Sequence, residues 1–212
     1  LPTVFTLREN GKIVGVMSSN VDDLLFRSLP EHEHVMDKIL DQFSVRERNL
    51  PPFRFCRKEV EQSEDYSITV TAKDNTEKIR PIDIGEKKRG VDKCNQSETT
   101  CLRSVVASMA WIARQVRPRL SYRVSKLQSV CSKGTVKDMR ECNKVLEYAQ
   151  STSDEGIHFA SVGLNWDDAV ICSVGDASFA NETVTVNDQG DQEDDRSQQG
   201  YIICLAPAGI VN

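Results

Sequence analysis

Long apolar runs are missing from this 212-residue sequence, and none approaches the roughly 20 residues needed to cross a bilayer. No membrane span is therefore expected. Cys-x-x-Cys pairs are missing as well. The seven cysteines lie no closer than seven positions apart, which argues against a zinc site. An odd count with no signal-peptide pattern points to reduced thiols and an intracellular setting, cytoplasm or nucleus. Histidine is scarce. His32 and His34 stand two apart, so they do not share a helical face and read as solvated. An initiator Met and a basic leader are absent ahead of Leu1, and Pro207 to Asn212 ends without a terminal helix. The chain is accordingly expected to be a fragment of something longer.

Positive charge is nearly absent from the last 62 residues, where Arg196 stands against 11 Asp/Glu. Residues 1–150 carry 26 Lys/Arg against 21 Asp/Glu, a net +5. That asymmetry suggests two modules. The basic one can lie along a polyanion, unless the distribution is only surface chance.

What is present begins with Ile13-Val14-Gly15-Val16-Met17-Ser18-Ser19-Asn20-Val21-Asp22-Asp23-Leu24-Leu25-Phe26. Two apolar runs flank adjacent carboxylates, a pattern for strand, tight turn and strand. Side by side, Asp22 and Asp23 repel unless they are solvated, protonated or bridged by a hard cation such as Mg²⁺. An ordinary exposed Asp-Asp turn is the plain alternative.

Ser28 is the expected cap of a following helix, with Pro30 and Glu31 in its first turn. Its apolar stripe is Val35, Met36, Ile39, Leu40 and Phe43. After Leu50-Pro51-Pro52, residues 53–61 and 66–71 alternate as two strands around the polar Gln62 to Asp65. Residues 73–98 read as a polar linker. Its basic cluster, Lys87, Lys88 and Arg89, can touch phosphate or simply be solvated.

Three helices are expected next. The first carries Leu102, Val105, Val106, Met109, Ile112 and Ala113, and the second runs from Leu120 to Cys131. The third opens on a capping box, Thr135 to Asp138. Arg114, Arg117, Arg119, Arg123 and Lys126 place five cations in 13 residues around the first junction. They form either a nucleic-acid contact or a solvated helix–helix corner. Strands are then expected at Ile157 to Phe159, Ala169 to Val174 and Tyr201 to Leu205, the last two as partners. Asp176 follows the end of the second, a position where metal-dependent hydrolases place ligands. The acidic stretch from Asn187 to Arg196 lacks calcium-loop spacing and reads as a solvated insertion.

The ordered series of motifs resembles copia-type retrotransposon Pol polyproteins, from the reverse transcriptase active site into ribonuclease H. Val21-Asp22-Asp23-Leu24-Leu25 is similar to the family's aromatic-x-Asp-Asp hairpin, and Phe55-Cys56-Arg57 stands where Phe-Leu-Gly is usual, at the hairpin that grips the primer. Leu102 to Ala113, followed by Arg117-Pro118, resembles its Arg-Ser…Arg-Pro-Asp helix. Asn143 to Ala149, with Asp154 to Phe159, resembles its Lys-Arg-Val-Leu-Arg-Tyr-Leu…Gly-Leu-x-Phe block. Gly175-Asp176-Ala177-Ser178-Phe179-Ala180 looks like Ser-Asp-Ala-Asp-Trp-Ala, and Arg196-Ser197-Gln198-Gln199-Gly200-Tyr201 looks like Arg-Arg-Ser-Thr-Ser-Gly-Tyr.

The resemblance implies an α+β fold: a palm-end β-hairpin, a helical thumb or connection, and an incomplete ribonuclease H-like mixed sheet. The segments expected are 1–72 (palm end and primer grip), 73–98 (linker), 99–152 (thumb/connection) and 153–212 (ribonuclease H-like). It implies RNA-directed DNA polymerisation with Mg²⁺ on a template–primer duplex of RNA or DNA, using deoxynucleotides, within the rest of a Pol polyprotein. Asp22 and Asp23 would be two of three polymerase ligands, and Asp176 the first ribonuclease H acid. Phe55, Arg57, Arg114, Arg117, Arg119, Arg123 and Lys126 would contact nucleic acid.

Departures weigh against activity. Asn20 stands for an aromatic residue or His, Arg57 for Gly, Ala107 for Gly and Arg119 for Asp. The resemblance implies that the family's first catalytic Asp lies upstream of residue 1 and the remaining ribonuclease H acids beyond Asn212. The chain alone is expected to be inactive, and whether it is an enzyme at all stays open. The alternative is a domesticated, non-enzymatic nucleic-acid-binding or interaction module; an unrelated α+β binding domain is the third reading.

Overall fold

A computed structural model describes residues 3–42, 47–86, 88–161, 168–178 and 198–207. They form two units, Leu1–Ser161 and Val162–Asn212, with mixed α and β structure. Among the described residues no helix is long and apolar enough to cross a membrane. Phe43, Lys87 and the whole acidic stretch from Asn187 to Arg196 lie outside them.

The first unit opens with an antiparallel sheet of β1 (Thr3–Glu9), β2 (Lys12–Asn20) and β3 (Asp23–Ser28). Asn10 and Gly11 join the first two strands at φ 49° and 80°, the left-handed pair a two-residue hairpin demands. Asn-Gly is a strong turn signal, one that a search for apolar runs passes over. Ser28 does not cap the next helix. It pairs with Gly15 at the end of β3, and its buried hydroxyl has no hydrogen-bond partner among the described residues. A 3-10 turn, Pro30–His32, instead starts behind Leu29 and leads into α1 (Glu33–Leu40), which buries Met36.

A second antiparallel sheet has the order β4 (Phe53–Phe55), β5 (Lys58–Gln62), β6 (Ile68–Thr71) and β7 (Ile157–Phe159). The strand expected over residues 53–61 is itself a hairpin. Cys56 and Arg57 form its turn at φ 51° and 63°. β7 pairs with β6, Val70 opposite Ile157, so residues 153–161 belong to the first unit. Gly156 allows this: a Cβ there would lie 2.1 Å from the Val70 carbonyl oxygen.

Residues 73–98 are not a loose linker. α2 (Lys73–Glu77) starts them, and Thr76 and Ile82 are buried. The Asn143 side chain clasps Ile82, accepting from its N–H and donating to its carbonyl at 2.8 Å each. α3 (Gln96–Gln115) then begins on an Asn95–Glu98 capping box, α4 (Ser121–Val130) follows a 3-10 turn at Pro118–Leu120, and α5 is Val136–Ser151. The expected box on α5 forms, with Asp138 Oδ2 accepting from both the amide and the hydroxyl of Thr135 at 2.7 Å. Leu102, Met109, Ile112, Leu120, Met139 and Leu146 are essentially fully buried, making these helices the core.

The second unit is described as one antiparallel ribbon, β8 (Ala169–Ser178) against β9 (Gln198–Pro207), with Ile171 opposite Leu205 and Val174 opposite Ile202. Both strands run beyond the apolar stretches that announce them.

Candidate functional site

The β2–β3 hairpin closes through two residues, because Asn20 pairs with Asp23 and only Val21 and Asp22 lie between. Val21 adopts φ 56°, a left-handed conformation in which a β-branched side chain is strained. It is also 94% exposed, so nothing apolar compensates that strain. Asp22 therefore sits on the turn and Asp23 at the first position of β3, both exposed. Among the described residues neither carboxylate has a hydrogen bond or an ion pair. A two-residue hairpin demands left-handed backbone, so Val21 meets the geometry of the turn at the expense of local strain.

The neighbouring turn is tied to it. Asn20 Nδ2 donates to Cys56 Sγ at 3.1 Å, joining the carboxylate hairpin to the β4–β5 turn. At that turn Arg57 occupies the left-handed position that suits glycine. Its carbonyl accepts a short hydrogen bond from Asn75 of α2, which fixes the turn against the helix. Arg57 projects into solvent, while Phe55 is half-buried.

Asp22 and Asp23 by themselves do not fit a cage of two Mg²⁺ held by three Asp. Among the described residues no group of three or more His, Cys, Asp or Glu is placed to hold a metal ion. Two free carboxylates suffice at most for one hard cation that keeps waters or phosphate oxygens as its other ligands.

The five cations expected to act together are divided. Arg117 is only 3% exposed and belongs to the interior. Its Nη1 donates to the Thr152 carbonyl at 2.6 Å; its Nη2 donates to Thr152 Oγ1 at 2.7 Å and pairs with Glu155 at 3.2 Å. The guanidinium thus satisfies the C-terminal end of α5 and is unavailable to a phosphate. Sequence counts a charge but does not reveal that the fold has already used it. Arg119 is 77% exposed beyond a loose 3.9 Å approach to Glu155. Arg114, Arg123 and Lys126 are exposed too, and Arg123 lies over the Tyr148 ring at 5.6 Å.

No known family profile, curated protein or solved structure matches the chain. The site has to be read from its own geometry.

Asp176 is not at a strand end. β8 continues to Ser178, Asp176 pairs with Gly200 of β9, and the ribbon around it is exposed rather than buried. No second acid among the described residues joins it to form a metal cluster. Phe179, Ala180, Arg196 and Ser197 lie outside the described residues. Sequence reading missed Asn20 and Asn75 as the groups that brace the two turns. Only their polar character inside otherwise patterned stretches hinted at it.

Proposed function

We propose that residues 1–161 are the palm-end and thumb portion of a copia-type reverse transcriptase, gripping a template–primer duplex without completing its polymerase site. The observation that carries the reading is the strained, exposed turn that presents Asp22 beside Asp23, bonded through Asn20 to the β4–β5 turn. An Asp-Asp hairpin beside a primer-grip hairpin would call for two such neighbouring turns, which supports the reading. The residues from 101 to 150 hold ten Lys/Arg against three Asp/Glu and, with the buried Arg117 set aside, still form a basic helical surface suited to phosphate backbones. The segment around Asp176 is assigned by the same resemblance to the beginning of a ribonuclease H domain. An intracellular location with reduced thiols accompanies this reading.

Two carboxylates do not make a two-ion polymerase, so the chain by itself is proposed to bind and not to turn over. A domesticated, non-enzymatic binding module is favoured as the second reading by one observation. Arg57 occupies a left-handed position where the family has Gly, placing a long side chain at the turn that approaches the primer.

The experiment is fluorescence anisotropy with a labelled RNA–DNA primer–template, at about 50 mM and about 200 mM salt, followed by primer extension with Mg²⁺ and deoxynucleotides. Binding that weakens at least tenfold with the added salt is expected, because each neutralised phosphate releases a counterion. No extension is expected. Absence of duplex binding at low salt would overturn the reading. Extension abolished by Asp22→Ala would show that the site is complete after all.

A further inference from the structure

A groove between α4 and α5, of about 240 Å³, lies on the helical surface; Arg123 and Lys126, already named as duplex contacts, line it with five residues that are not. It is smaller than the ~300–1,000 Å³ of sites that enclose drug-sized ligands, and suits one flat ring system. One wall is Tyr122, an aromatic ring left 55% exposed. Leu127 and Val130 give the groove an apolar floor. Arg123 and Lys126 bring positive charge to its rim, and Arg123 is pre-positioned by lying over Tyr148. An aromatic face beside cations is the composition that stacks an unpaired base while holding its phosphate.

The far wall supplies a second clue. Only three acids occur between residues 101 and 150, and two of them, Asp138 and Glu141, line this groove. Carboxylates there repel a phosphate, so the α5 side is not a phosphate site. They accept hydrogen bonds, and the exocyclic amino groups of cytosine, adenine and guanine donate them. Asp138 Oδ2 already serves the α5 cap, whereas Glu141 has only a 4.0 Å approach from Lys144.

We propose that this groove binds one unpaired, amino-bearing nucleobase of a single-stranded nucleic acid. The base stacks on Tyr122, its amino group donates to Glu141, and its phosphate lies against Arg123 and Lys126. Uracil and thymine offer only an N3–H flanked by two carbonyl oxygens, which repel a carboxylate, and bind less well.

The test compares labelled dC8 and dU8 by fluorescence anisotropy on the full 212-residue chain at fixed low salt. The wild-type chain is expected to prefer dC8 about fivefold. Tyr122→Ala weakens both ligands about tenfold, and Tyr122→Phe restores them. Glu141→Ala removes the preference for dC8 while leaving dU8 binding at least as tight. Tyr122 and Glu141 are exposed, so these variants should keep the wild-type circular dichroism spectrum. Equal affinity of the wild type for dC8 and dU8, or wild-type affinity in Tyr122→Ala, would overturn the proposal. So would displacement of neither oligonucleotide by an Arg/Lys-rich peptide that nonetheless quenches Tyr122. The ligands are single strands and both variants spare Arg114 and Arg119, so failure here and failure of duplex binding are distinguishable.

Discussion

Arg117 and Asp22 are both charged, and their surroundings are opposites. Arg117 is buried among the ends of α3 and α5, with both terminal nitrogens donating to Thr152, Ala149 or Glu155. Asp22 stands on an exposed turn with strained backbone at Val21 and no partner among the described residues. The same contrast holds for their elements. The helices bury Leu102, Met109, Ile112, Met139 and Leu146, whereas the β1–β3 sheet leaves Val4, Phe5, Ile13 and Val16 substantially exposed. The buried apolar side chains therefore reside mainly in the helices, whereas the hairpin presents two carboxylates without partners among the described residues. In a marginally stable fold, the two properties are separable by mutation.

The largest effect should come from Arg117→Ala, which leaves buried carbonyls unpaired. It is expected to cost about 2–4 kcal/mol in urea unfolding. An effect below about 0.5 kcal/mol would erase the distinction between buried and exposed arginines. Next, the triple change of Arg114, Arg119 and Arg123 to Ala should leave stability nearly unaltered but weaken duplex binding more than tenfold, with the salt slope falling by up to about three. If duplex affinity is unchanged, the basic helical surface is merely solvated. Relieving the strained turn is a smaller effect of opposite sign. Val21→Gly should stabilise the chain by about 1 kcal/mol, because glycine adopts φ 56° without a Cβ clash. A destabilised variant would show that Val21 is not strained.

Smaller still is an acid-dependent effect at the start of α3. Glu98 is held below its ordinary value, chiefly by a hydrogen bond from Lys88 and then by the Asn95 amide. A depressed carboxylate adds stability above its unfolded pKa and loses it as pH falls through the folded one. The melting-temperature gap between wild type and Glu98→Gln should accordingly be present at pH 6 and narrow toward pH 3. A constant gap would assign it to helix propensity instead. The cysteines extend the contrast. Burial pushes the Cys142 thiol up to about 12, while Cys101 and Cys204 are exposed. A thiol-specific reagent at pH 8 should label Cys101 and Cys204 in the native chain and reach Cys142 only after unfolding.

Where sequence and structure agree, the physics is local. The α3 stripe, the Thr135–Asp138 box and the partnership of β8 with β9 all follow from periodicity and short-range chemistry. The Asp22 hairpin was legible for the same reason. What escaped depends on partners far along the chain. Nothing in Arg117 announces Thr152, 35 residues away, and nothing in Ile157 announces Val70. Cys56-Arg57 hides a turn because neither residue favours left-handed backbone. Ser28 has the chemistry of a cap but is committed to β3 by its pairing with Gly15. The site was thus legible as a pair of carboxylates, and illegible as a braced assembly with Asn20, Cys56 and Asn75.

The central claim is that the Asp22–Asp23 turn and the Cys56–Arg57 turn face a primer end. A primer–template carrying a photoreactive group at the primer 3′ terminus tests it most directly, with cross-linked peptides mapped by mass spectrometry on the full chain. Adducts concentrated in residues 20–24 and 55–57, and suppressed by excess unlabelled duplex, are the predicted result. Adducts confined to residues outside both turns would contradict it.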